Sequence, residues 1–109
     1  MQKLYYASGF MLLGDKVCDA VVDYAQALAD VGKSDLVIVP ALSDEGVRGT
    51  VKLLIGPASQ LFAAPAVERD VDLDDPAAVE WMRDKTARLQ PARAQPDPDA
   101  LRVGFGDDY

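Results

Sequence analysis

The 109-residue chain is about one domain in length, half hydrophobic and 27% charged, so it has enough apolar material for a core of its own. Eighteen acidic against eleven basic side chains give a net charge of −7, which repels a phosphate backbone, so no nucleic-acid partner is expected. A single cysteine excludes an internal disulfide, and the longest apolar runs fall far short of the roughly 20 residues that span a bilayer. With no secretory pattern before Gly14-Asp15 either, the expected compartment is the cytoplasm, without membrane contact.

Lys3 to Ala7 is β-prone and is followed by Ser8-Gly9 and the apolar Phe10 to Leu13, which predicts an N-terminal hairpin around a short glycine turn. Asp15 suits an N-cap. Beyond it Val17, Val21, Tyr24 and Leu28 recur at helical spacing against a polar face of Lys16, Asp19, Asp23, Gln26 and Asp30. Gly32 stands where it closes this helix. Leu36 to Leu42 and Val47 to Ile55, joined by Ser43-Asp44-Glu45-Gly46, predict a second hairpin. Gly56-Pro57 breaks it, Gln60 to Ala64 suggests a further short strand, and an acidic linker runs from Pro65 to Asp75.

Asp75-Pro76 pairs a capping residue with a favoured first helical residue, and Ala78, Val79, Met82, Thr86 and Leu89 form the apolar stripe of a second helix over 76–89. The expected fold is α+β: an antiparallel sheet of four to five strands and two helices in two layers, as a single domain over residues 1–90. Residues 91–109 read as a Pro-rich acidic tail. Within it Leu101, Val103 and Phe105 alternate, as in a strand added to a sheet edge of its own or a neighbouring chain.

The absence of histidine removes Ser-His-Asp and Cys-His chemistry and makes zinc improbable, so no catalytic, cofactor or metal residue is assigned. Carboxylates at Asp70, Asp72, Asp74 and Asp75 lack the glycine and terminal glutamate of a calcium loop and read as linker and helix cap. Cys18, in the first helical turn, is either a thiol activated by the helix dipole or a small core residue, and its valine neighbours favour the core. Gly46-Val47-Arg48-Gly49 has the spacing of a nucleic-acid clamp but sits at a hairpin turn. Arg83, Lys85 and Arg88, beside Glu80 and Asp84, read as an ion-paired solvated face. Trp81 is either a partner anchor or a partly packed core residue.

Leu4-Tyr5-Tyr6, Asp15, the Arg48, Thr50, Val51 and Leu53 strand, and Trp81-Met82 follow one another in an order that resembles a family of short actinobacterial proteins of uncharacterised role. The likeness spans residues 3–90. It implies the hairpin, helix, hairpin, helix order already read from the residues. After the threonine those proteins typically carry Trp-Leu-His-Pro, where this chain has Lys52 to Pro57. They often bear an automatic ATP-dependent DNA ligase label. Such ligases attach AMP to the lysine of Lys-x-Asp-Gly, and the nearest segment here, Lys33-Ser34-Asp35-Leu36, lacks the glycine and runs into a strand.

The function expected from these residues is a non-enzymatic protein-interaction module or small oligomeric subunit, most simply a homodimer, with Trp81, Leu101, Val103 and Phe105 as partner-binding candidates. The alternatives are a carboxylate-based or metal-assisted enzyme using Asp44 and Glu45, and a nucleic-acid accessory protein. The first needs two carboxylates facing each other in a pocket.

Overall fold

The computed structural model describes residues 1–7 and 9–89 of the chain. Five strands, β1 (Gln2–Tyr6), β2 (Gly9–Leu13), β3 (Asp35–Ser43), β4 (Arg48–Ile55) and β5 (Leu61–Pro65), form one antiparallel sheet in the order β4-β3-β2-β1-β5. The helices α1 (Asp15–Asp30) and α2 (Pro76–Leu89) complete the α+β fold that the periodicities predict.

The first hairpin pairs Tyr6 with Gly9, so the glycine belongs to the strand and does not make the turn, contrary to the Ser8-Gly9 expectation. The positive backbone angle falls on Ala7 instead, at φ 57°. A tight hairpin needs that hand to match the strand twist, whatever residue supplies it. The second hairpin closes as expected, with Gly46 N–H donating to the Ser43 carbonyl and the Ser43 hydroxyl accepting from the amides of Glu45 and Val47.

α1 differs from its predicted start by one residue. Gly14 occupies the cap with no side-chain hydrogen bond, and Asp15 is the first helical residue, where its carboxylate meets the Met1 amino group at 2.7 Å. Its end follows the sequence: Gly32, at φ 68°, and Lys33 donate their amides to the carbonyls of Ala29 and Leu28, the paired bonds of a left-handed glycine stop. α2 begins as predicted, with Asp75 Oδ1 accepting from the Ala78 amide at 3.0 Å.

The core lies between one sheet face and the helices. Leu4, Leu13, Val37, Val39, Leu53 and Ile55 from the strands meet Val17, Cys18, Val21, Tyr24 and Leu28 from α1, while α2 contributes Met82. Each fully buried aliphatic side chain of this kind contributes about 1.5–3 kcal/mol of transfer free energy. α2 packs chiefly against α1, and Arg83 bridges to Asp23 on it.

The sheet is strongly curled. Tyr6 on β1 donates its hydroxyl to the Leu54 carbonyl of β4. Those strands are three positions apart, about 14 Å in a flat sheet and more than a tyrosine spans. Contact of β2 with β3 at only Met11↔Ser43 and Leu12↔Leu42 lets the β3–β4 ribbon swing round.

Candidate functional site

Alternation along each strand sends Lys3, Tyr5, Phe10, Leu12, Leu36, Ile38, Leu42, Arg48, Thr50, Lys52, Leu54 and Phe62 to the face opposite the main core. Among the described residues no helix packs on the part of this face that bears Tyr5, Phe10 and Phe62, while the first half of α2 borders its Leu36 and Ile38 edge. Part of it is closed by the segment after β5, where Ala66, Val71 and Leu73 pack with Met1 over Leu12 and Leu42, and Arg48 donates to the Asp72 carbonyl. The acidic linker expected from composition is therefore a strap with an apolar underside. Alternation of Val71, Asp72 and Leu73 is the signal that revealed it too faintly.

Among the described residues two apolar areas border recesses that stay open. On β1, β2 and β5, Tyr5 and Phe62 stack at 4.3 Å between ring centroids and 11° between planes, with Phe10 beside Tyr5 and the Lys3 ammonium over the Phe10 ring. Phe62 is 61% exposed. A recess of about 160 Å³ borders this plate, lined by Lys3, Phe10, Asp44 and Arg69 among others.

The second area is a groove of about 350 Å³ between β3 and the first half of α2, lined by Leu36, Ile38, Asp75, Ala77, Ala78 and Trp81. Leu36 lies directly across from Leu54, and both are about half exposed. Trp81 sets its ring edge-on to Tyr24, 5.9 Å away at 85°, with the Lys85 ammonium over its face, and remains 43% exposed. The indole packs edge-on to Tyr24 of α1, and its exposed part lines the groove beside Leu36 and Ile38.

The other candidate residues are dispersed. Glu45 and Asp44 sit exposed at the tip of the β3–β4 hairpin, only Asp44 reaching the rim of the small recess. A further recess, about 500 Å³, is bordered by residues 68–74 and the Met1 end, where the amino group pairs with Asp15 and Glu68. Asp72 accepts from the Asp74 amide, and no group of three or more metal-ligating side chains occurs among the described residues. The Lys33 backbone amide closes α1, and Asp35 accepts from Tyr24. Arg88 pairs with Asp84.

Cys18 is fully buried in the core, and burial, with the nearby Asp19 and Asp15 carboxylates, pushes its thiol up to about 11, opposite to activation. Leu101, Val103 and Phe105 lie outside the described residues. Among the described residues no helix is long and apolar enough to cross a membrane. Comparison of the chain with protein-family models, curated proteins and solved structures finds no match.

The sequence singles out Trp81 and, in the run Phe10 to Leu13, a strand with apolar residues for both faces, but not Tyr5 and Phe62 as the partners that make the surface. Their signal was indirect: strands with apolar residues in both alternation phases have apolar side chains left over for the second face.

Proposed function

We propose that this protein is a non-enzymatic interaction module that self-associates through the aromatic plate of Tyr5, Phe10 and Phe62. The stacked Tyr5–Phe62 pair carries this reading, because it leaves a large flat ring of Phe62 facing water on the side of the sheet away from α1. Scattered exposed apolar residues are ordinary, whereas an ordered aromatic cluster is the composition of interface centres.

A second copy suits the plate. Aromatic rings stack on their own kind, a two-fold axis gives a closed dimer, and the rim carries Lys3 and Arg69 together with Asp44, charges of both signs for a rotated copy to pair. Carboxylate chemistry gains no support from Asp44 and Glu45, which stand exposed at a turn.

Size exclusion with light scattering at micromolar concentration tests the proposal. The expected result is twice the 11.7 kDa chain mass, falling to one chain in Phe62→Asp. A wild-type mass of one chain sinks it.

A further inference from the structure

β3 carries an edge that the sheet leaves unpaired. The Ser43 amide donates to the Val47 carbonyl, which marks these two as a hydrogen-bonded pair of the antiparallel ladder. In the register that follows, Ala41, Val39, Val37 and Asp35 turn their backbone groups to β4, so Leu36, Ile38, Pro40 and Leu42 turn theirs the other way, toward β2. β2 meets only Leu42 and Ser43 before Gly14 leads the chain into α1. Among the described residues the carbonyls of Leu36, Ile38 and Pro40 and the Ile38 N–H therefore face no strand, while the Leu36 amide donates to Asp35 Oδ1.

Leu36 and Ile38 also form the strand wall of the apolar groove, opposite Ala77, Ala78 and Trp81 of α2. We infer that residues 36–40 of β3 are a docking edge for an extended segment of a partner protein, which adds a strand beside Ile38 and lays apolar side chains into this groove.

The backbone groups identify the occupant as a strand. Acceptors at Leu36, Ile38 and Pro40 recur at every second residue, the repeat of another extended main chain. The residue opposite Ile38 exchanges both of its bonds with it, and the residues two positions to either side donate to the Leu36 and Pro40 carbonyls. Pro40 offers no amide, so the edge is rich in acceptors, and the segment brings donors and no proline at those positions.

Side chains fix the rest. A residue opposite Ile38 in an added strand lies on the same face as Leu36 and Ile38, in the groove that Trp81 borders, which favours a β-branched side chain. Lys52 stands across from Ile38 on β4 and Lys85 over the indole, whereas Asp35 and Asp75 are engaged by Tyr24 and the α2 cap, so carboxylates at the ends of the segment meet cations. A second copy does not suit this site. The space of about 350 Å³ between β3 and α2 admits one chain, not the edge of a sheet backed by its own helices.

The probe is the capped synthetic peptide acetyl-Glu-Val-Thr-Val-Thr-Val-Glu-amide, beside a control with every internal backbone amide N-methylated. The readout is amide hydrogen exchange of the full chain by NMR. In the free chain at about 50 μM the Ile38 amide exchanges at least about tenfold faster than those of Val37 and Val39, which face β4. Peptide at about 2 mM slows Ile38 about threefold, as two-thirds occupancy requires, and the methylated control leaves it unchanged.

An Ile38 rate untouched by the peptide, or slowed equally by the control, overturns the inference. So does slow exchange in the free chain, whether constant, from an edge already occupied, or growing with protein concentration, from a second copy. The dimer proposal is read separately, since Phe62→Asp alters the mass and leaves the response of Ile38 to the peptide intact.

Discussion

Tyr24 of α1 donates its hydroxyl to Oδ2 of Asp35, 2.5 Å away, where β3 begins. The bond ties the helix to the ribbon that swings round the core, and the other Asp35 oxygen accepts from the Leu36 amide. Tyr24→Phe keeps the ring on Trp81 but leaves a half-buried carboxylate short of a donor. The expected loss is about 1–2 kcal/mol, read as a lower urea midpoint with native tryptophan emission unchanged. An unmoved midpoint contradicts the role.

Ala7 holds a left-handed backbone, which costs an L-residue roughly 1–2 kcal/mol. Asparagine and glycine tolerate that region better, so Ala7→Asn or Ala7→Gly stabilises by about 0.5–1 kcal/mol. Thermal unfolding measures it, and a lower melting temperature in both variants counts against the assigned geometry.

These two sites show how far the sequence reached. Helical spacing in Val17, Val21, Tyr24 and Leu28 and the Asp75-Pro76 start are local signals, and both helices follow them within a residue. The turn at Ala7 escaped because hairpin geometry overrides residue preference. The plate and the groove escaped for another reason: strand order decides which side chains become neighbours, and Phe62 meets Tyr5 only because β5 returns to pair with β1. Nothing in residues 61–65 themselves announces that partner.

Cys18 is expected to be inert. A thiol raised to about 11 has, near pH 8, a thiolate fraction about 100-fold below that of an ordinary cysteine, before burial limits access further. Iodoacetamide should therefore modify the folded protein far more slowly than the urea-unfolded chain. Cys18→Ala should cost roughly 1 kcal/mol through lost packing. Rapid labelling of the native state refutes this.

Alkaline pH should destabilise the protein. The Met1 amino group is raised above its ordinary 8.0 by hydrogen bonds to Asp15 and Glu68, Cys18 is raised from 9.0, and burial followed by the Asp35 bond raises Tyr24 above 10.0. Each group binds its proton more tightly folded than unfolded, so its contribution is fully present below its ordinary value and is lost as pH climbs toward the raised one. Stability should begin to fall above pH 8, first through Met1 and then, between 9 and about 11, through Cys18. Melting temperatures across this range check it, and a flat profile removes the linkage.

The outward strand faces bear Lys3, Arg48 and Lys52, while the carboxylates of the described residues lie on helices, on loops or, for Asp35, on the helix side. Two molecules of net charge −7 repel at a distance. Salt weakens this repulsion, since the screening length falls from about 10 Å at 0.1 M to about 3 Å at 1 M. On the proposed pairing, dilute buffer is therefore expected to favour separate molecules and concentrated salt paired ones.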